Sequence, residues 1–422
     1  MIDMATHPCF NPAAKGKFGR VHLPVAPKCN VQCLFCNRKY DCVNESRPGV
    51  TSSLLSPGQA LHYVTRLLDM GKAISVAGIA GPGDPFANPH ETMETMRLLR
   101  RRLPDLLLCV STNGLGVGPY VEELAAIGVS HVTVTISALE SEVGEQIYGW
   151  VRDGKKIYRG RAGAALMIAR QVDAIRSLKA HGITVKVNSI LIPGVNEDEM
   201  EKIAKFCQRE GVDMHNVIPL CPVEDTPFEY LREPSAAEVH AIRESCGKYV
   251  TQMTHCQRCR ADACGLLSEG TTQETMEMLQ EASKEPIYPD QERPYVAVGT
   301  REHVLVNLHL GEAKEFVIFE QSADGAFCKE IEVRTAPEPG CRDDRWKTLG
   351  SILSDCRAVL VSSAGPRPTS LLEESGIRVI VMEGLIEEAL TTIYSGKTVK
   401  APVREFKCGK GVSCGGDGAG CG

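Results

Sequence analysis

From about residue 20 to residue 220 the chain alternates short β-branched runs with longer stretches of helical period. The runs Val21–Val25, Ala73–Ala77, Leu106–Ser111, His131–Ile136, Thr184–Leu191 and Asn216–Leu220 predict strands. The helices between them have readable ends. Ser56 caps one, Pro57 occupies its first turn, Leu61, Val64 and Leu68 form its apolar face, and Gly71 stops it. A second, over Ala162–His181, aligns Leu166, Ala169, Val172, Ile175 and Leu178 on one stripe before Gly182. A third, Asp198–Glu210, ends at Gly211. Six strand–helix units imply a parallel sheet with helices outside it, too few for a closed eight-stranded barrel but enough for a partial one. Functional residues then gather at the C-terminal ends of the strands.

A polar, acidic stretch over 266–293 begins as a helix and is broken by Pro286, Pro289 and Pro294, the composition of a linker. Beyond it, Tyr295–Thr300, Val304–Leu310, Glu315–Glu320, Ala358–Ser362 and Arg378–Val381 predict strands, with helices near Trp346–Ser354 and Leu385–Ser395. The expected organisation is a first domain over 1–270, a linker over 271–293, a small α/β domain over 294–402 and a Gly/Cys-rich flexible tail over 403–422. The net charge of −6 gives no electrostatic case for nucleic acid or an anionic membrane. The N-terminus lacks the apolar core of a signal peptide, and no segment has the length of apolar residues a membrane span needs. The expected setting is the cytoplasm.

Cysteine changes the picture. There are 18, clustered at Cys29, Cys33, Cys36 and Cys42 and again at Cys256, Cys259 and Cys264. In a long chain without a secretory signal, such clusters point to metal ligands or catalytic thiols rather than disulfides. Cys29-Asn-Val-Gln-Cys33-Leu-Phe-Cys36 follows the first strand directly. Three thiolates hold three irons of a 4Fe–4S cluster and leave the fourth open to an exogenous ligand. The competing reading, a structural zinc loop, wants four ligands with paired spacings.

This triplet resembles the signature of the radical S-adenosylmethionine (SAM) superfamily. The resemblance implies that the open iron chelates SAM and that the cluster cleaves it reductively to methionine and a 5′-deoxyadenosyl radical. It further implies SAM contacts at Phe35, at Gly81, Pro82, Gly83 and Asp84 after the second strand, and at the strand-end groups Asn113, Thr135, Ser137 and Asn188. Each strand-end group taken singly is equally readable as a structural hydrogen bond.

His7-Pro8-Cys9-Phe10, Cys42-Val43-Asn44-Glu45-Ser46-Arg47-Pro48 and Cys256-Gln257-Arg258-Cys259-Arg260-Ala261-Asp262-Ala263 narrow the resemblance to the nitrogenase cofactor maturases of that superfamily. The second domain resembles NifX-like (ribonuclease H-like) cofactor-binding domains. The implied function is fusion of two auxiliary 4Fe–4S substrate clusters, with an inserted carbide and an extra sulfur, into the eight-iron precursor of the iron–molybdenum cofactor. One SAM would methylate a cluster sulfide and a second would supply the radical. Cluster donors and the carrier and scaffold proteins of nitrogenase cofactor assembly are the implied partners. Three clusters at three protein ligands each need nine. Cys29, Cys33 and Cys36 form the first set, Cys42, Cys256 and Cys259 the second, and Cys9, Cys109 and His22 the third. Glu45 and Arg47 are the implied catalytic pair, for proton relay or charge balance; a surface ion pair is the alternative.

Cys207, Cys221 and Cys246 read as buried small hydrophobes, and Cys264 as either a spare ligand or a packing residue. His303, His309, Cys328, Cys341 and Cys356 in the second domain have no spacing that selects among them. Two other functions compete. A peptide-modifying radical SAM enzyme would keep its auxiliary clusters through turnover, and a non-catalytic iron–sulfur carrier would not cleave SAM.

Overall fold

In a computed structural model of the chain, the residues described are 4–42, 51, 53–256, 259–267, 271–284, 293–322, 327–338, 343–394 and 399. The chain forms two compact units, Met1–Ser283 and Lys284–Gly422.

The first unit is built on strands β1 (Gly19–His22), β2 (Ile74–Ile79), β3 (Leu107–Thr112), β4 (His131–Thr135), β5 (Thr184–Leu191) and β6 (Met214–Pro219). They pair in chain order, all parallel, and β7 (Cys264–Gly265) adds an antiparallel edge beside β1. This is a partial (β/α)6 barrel. Helices α1 (Pro57–Asp69), α2 (Pro89–Arg102), α3 (Val121–Ile127), α4 (Gly160–Ala180), α5 (Glu197–Arg209), α6 (Ala236–Gly247) and α7 (Gln273–Ala282) complete the unit. Alternate strand residues such as Val110, Val132, Val185 and Val217 are fully buried in the apolar core. Their neighbours Cys109, His131, Lys186 and Asn216 carry the polar groups of the opposite face.

Local chemistry explains the helix starts. Ser56 and Gln59 make a reciprocal capping box at α1, and Ser235 and Glu238 do the same at α6. The buried face of α1 differs from the expected stripe. Ala60, Tyr63, Val64 and Leu67 are buried, whereas Leu61 and Leu68 lie at its margin. On α4 the buried set is Gly163, Ala164, Met167, Gln171, Ala174, Ile175 and Leu178, and Ala169 is exposed. Both helices turn toward their largest or most closely packed residues, which a stripe of aliphatics alone overlooks.

The acidic stretch after 266 holds more structure than a linker. Thr272 caps α7, which buries Thr275, Met278, Leu279 and Ala282, and the Tyr63 hydroxyl donates to Thr275 O at 3.2 Å. Cys264 is buried in the core of the unit, so packing accounts for it; Cys207 and Cys246 are buried as well, and Cys221 is half-buried.

In the second unit a five-stranded mixed sheet runs in the order Cys328–Thr335, Glu315–Gln321, Tyr295–Val298, Cys356–Val361, Arg378–Val381. Helices Asp343–Ile352, Pro366–Glu374 and Ile386–Tyr394 accompany it, between two apolar clusters. The expected strand Val304–Leu310 shrinks to Leu305–Val306. The unpredicted one, Cys328–Thr335, is an edge strand studded with Lys329, Glu330, Glu332 and Arg334, so it lacks the apolar alternation that marks a strand. Helix Pro366–Glu374 was also unpredicted. Cys356 is a core residue, Cys328 is half-buried on the edge, and His303 pairs with Glu330 at 2.8 Å. Cys341 and the Gly/Cys-rich tail lie outside the described residues. Among the described residues no helix is long and apolar enough to cross a membrane.

Candidate functional site

The loop after β1 carries Cys29, Cys33 and Cys36, and a small antiparallel sheet holds it. Val31–Cys33 pairs with Tyr148–Asp153, which pairs in turn with Lys156–Tyr158. The Gln32 side-chain amide donates to the carbonyls of Cys33 (3.0 Å) and Cys36 (2.6 Å), closing the loop on itself.

Against this loop packs the turn after β2. The Gly81–Pro82 peptide is cis, Gly83 N–H donates to Ala26 O at 2.6 Å, and Asp84 N–H donates to Lys28 O at 2.8 Å. Nothing but glycine fits at 83, because a Cβ there would lie 2.1 Å from Lys28 O. Cys42 joins the same turn through its N–H to Pro82 O at 3.0 Å. One cleft is thereby lined by Cys29, Cys33, Cys36 and Cys42 together with Gly83, Asp84, Asn113 and Thr135.

The predicted SAM-contact residues divide. Asp84 is buried, and its carboxylate is committed to the protein. It accepts from Phe86 N–H (2.9 Å), the Thr112 hydroxyl (2.9 Å) and Asn113 N–H (2.7 Å). Burial pushes its carboxyl pKa up, against those donors. It therefore ties the Gly–Pro turn to the end of β3. Asn113 extends its amide to Asn30 Oδ1 (2.7 Å) and toward Cys29 Sγ (3.9 Å). Ser137 and Asn188 are buried; Ser137 Oγ accepts from Ile190 N–H and Asn188 Oδ1 accepts from the Asn216 amide. Phe35 is buried in the apolar cluster with Val31 and Tyr148, its ring 6.5 Å from that of Phe228. Glu45 and Arg47 lie outside the described residues.

Whether the loop suits a cluster is decided by its thiols. Burial first, and then the Asp84 carboxylate, push Cys29 up to about 11; burial also raises Cys36. Such thiols stay protonated until a cation compensates the thiolate, and bound iron does so. Among the described residues no three His, Cys, Asp or Glu side chains close on a single point as they would around one ion. A cubane distributes its ligands over separate iron corners, so the spread of Cys29, Cys33 and Cys36 around one cleft fits a cluster better than a lone zinc.

A second gathering of donors follows from strand register. His22 on β1 is opposite Gly78 on β2, which is opposite Cys109 on β3, which is opposite His131 on β4. Gly78 leaves a gap in that row. A Cβ there would lie 3.2 Å from Cys109 Sγ and 3.6 Å from His22 Cδ2. His22 Nδ1 lies 2.9 Å from Arg260 O, so Nδ1 carries the proton and the Nε2 lone pair is left for a ligand. Burial, then Arg20, holds the His22 pKa down at about 4, keeping the ring neutral.

His255 and Cys259 reach the same region. His255 Nε2 lies 3.0 Å from Pro8 O, next to Cys9, and the Arg20 guanidinium lies 3.3 and 3.1 Å from Cys259 Sγ. Cys9 is half-buried; desolvation of its thiol raises its pKa, and it feels the charges of Lys186, Cys259 and Cys109. Cys9 and Cys259, one from each expected auxiliary set, therefore lie near each other. Cys256 is half-buried too. Spacing does not reveal Arg20; its contact with Cys259 joins residues 239 positions apart.

Comparison with known proteins shows the family. The family model described as the radical SAM superfamily matches residues 23–207, and that described as dinitrogenase iron-molybdenum cofactor matches residues 292–396. The chain is 50% identical to the FeMo cofactor biosynthesis protein NifB of Chlorobaculum tepidum, covering 100% of this chain and 99% of that one. It is 39% identical to the protein of the same name from Klebsiella pneumoniae, over 89% and 87% of the two chains. Among solved structures, Streptococcus suis SuiB aligns over 55% of this chain and 49% of its own, at 14% identity and a TM-score of 0.42. Native anSMEcpe with bound AdoMet aligns over 62% and 81%, at 12% identity and a TM-score of 0.41.

Proposed function

Because the chain belongs to the NifB family of FeMo cofactor biosynthesis proteins, we propose that it fuses two 4Fe–4S substrate clusters, with carbide and sulfur insertion, into the eight-iron precursor of that cofactor. Cys29, Cys33 and Cys36 would hold the resident cluster. When bound, that cluster supplies the electron that cleaves SAM, which the radical SAM family implies. The chain's own residues do the rest. Gly83 lets the turn close on the cysteine-loop backbone at Lys28, Asp84 braces that turn, and Asn113 directs its amide toward Cys29 Sγ. Enclosure by the strand walls keeps water away and holds the reacting partners at contact distance. Cys42, Cys256 and Cys259 would hold one substrate cluster, and Cys9, Cys109 and His22 the other. Glu45 and Arg47 would relay protons or balance charge.

The single observation that supports fusion over simple radical chemistry is the row His22–Gly78–Cys109, a donor-lined gap in the barrel wall beside Cys9 and Cys259. An imidazole ligand is neutral where a thiolate is anionic, so a cluster held by His22 is easier to release into a fused product. Partners in this reading are the donors of 4Fe–4S clusters and the assembly proteins that take the product. The test is anaerobic reconstituted protein given SAM and dithionite. Methionine, 5′-deoxyadenosine and S-adenosylhomocysteine are the expected products; formation of none of them identifies a carrier instead. 5′-Deoxyadenosine without S-adenosylhomocysteine also refutes the reading.

A further inference from the structure

His7 has a role the ligand sets leave unused. It is 1% exposed, and its Nδ1 accepts the Cys9 backbone N–H at 3.2 Å. Its ring packs 4.3 Å from that of His131 and 4.8 Å from that of Phe10. An Nδ1 that accepts leaves the ring proton on Nε2. That Nε2 is buried and has no hydrogen-bond partner among the described residues. A buried N–H donor left unmade is costly, so such an atom marks the place of an absent acceptor.

The surroundings say which acceptor. His7 stacks on His131, the register neighbour of Cys109, and it is bonded to the backbone of Cys9. The imidazole thus sits between the Cys9 backbone and His131, the register neighbour of Cys109.

We propose that His7 Nε2–H donates a hydrogen bond to a sulfur of the substrate cluster held by Cys9, His22 and Cys109. His7 is then a binding residue for that substrate, in addition to its ligands. The inference rests on that ligand set. An N–H···S bond stabilises the electron-rich, reduced cluster, so it raises the reduction potential and helps retain the cluster before fusion.

The two nitrogens can be tested separately. His7→Asn keeps an acceptor at the Nδ1 position for Cys9 N–H and removes the distal donor. His7→Gln keeps a donor near the Nε2 position and loses the Nδ1 acceptor. Redox titration by paramagnetic resonance on the reconstituted full chain is expected to show a more negative midpoint for that cluster in His7→Asn and a near-native one in His7→Gln. The reverse order, or a native midpoint in His7→Asn, overturns the proposal. If His7→Asn does not fold, hyperfine spectroscopy of wild type with 15N-labelled histidine decides. A strong coupling from His22 with a second, weak one supports the donor, and the strong coupling alone overturns it. Cys9→Ser and Cys109→Ser separate the premise from the inference. Each should remove about four irons, and if neither does, the ligand set itself is wrong.

Discussion

Gly83→Ala probes the contact between the cysteine loop and the Gly–Pro turn. The added methyl would lie 2.1 Å from Lys28 O, 2.6 Å from Lys28 C and 2.9 Å from Ala26 O, all backbone atoms that no rotamer can move aside. Ordinary contact begins near 3.4 Å, so the loop and turn must part by about 1.3 Å, the difference 3.4 − 2.1. That separation breaks the Gly83 N–H to Ala26 O and Asp84 N–H to Lys28 O bonds. Two hydrogen bonds at about 0.5–1.5 kcal/mol each, plus about 1–3 kcal/mol of overpacking, total about 2–6 kcal/mol. For a unit of this size that lowers Tm by roughly 3–10 °C. Displacement of about 1 Å at a reacting centre costs on the order of a hundredfold in rate. The assay pairs anaerobic melting with quantification of 5′-deoxyadenosine from SAM. Gly118→Ala is the control, since a Cβ there has nothing within 4 Å. Native melting and native SAM cleavage in Gly83→Ala would refute the reasoning.

Three further outcomes are expected. Asp84→Asn leaves one oxygen for three donors and turns an NH2 toward one or more of them; it should cost about 1–3 kcal/mol and weaken SAM binding measured by anaerobic titration. Arg20→Met removes the guanidinium from Cys259 Sγ and from the carbonyls of Gly265 and Leu266; reconstituted protein should lose iron selectively, with the signal of the Cys29/Cys33/Cys36 cluster retained. His215 is fully buried between Ser189 and Gln252, and burial, then Arg243, lowers its pKa to about 3. Its stabilisation is full above about 6.5, where the unfolded imidazole is neutral, and is lost as pH falls toward 3 because only the unfolded chain takes up the proton. The contribution changes by about 1.4 kcal/mol per pH unit in that window. Urea unfolding at pH 7 and pH 5 should therefore show a shallower pH dependence for His215→Gln than for wild type.

Local signals were legible and contacts between distant segments were not. Thr184–Leu191 is a strand over the expected bounds, and Ser56-Pro57 opens α1 as the capping pattern implies. The Cys29/Cys33/Cys36 triplet stood out by its spacing, the Gly81–Gly83 turn only in register with it, and the structure adds that the turn packs against the cysteine loop. Asp84 reads as a SAM contact from its place in the turn; what spacing does not show is that its oxygens also accept from Phe86, Thr112 and Asn113. The charged strand Cys328–Thr335 escaped notice because an edge strand exposed on both faces needs no apolar period. His7, Gly78 and Arg20 acquire meaning only from register and from contacts across the barrel, which no spacing along the chain encodes.

Iron quantification combined with paramagnetic resonance on the anaerobic full chain, before and after SAM, addresses the central claim most directly. Three distinct 4Fe–4S signals are predicted before SAM, two of which disappear together afterwards while the iron stays bound. Persistence of all three signals through SAM cleavage would contradict cluster fusion.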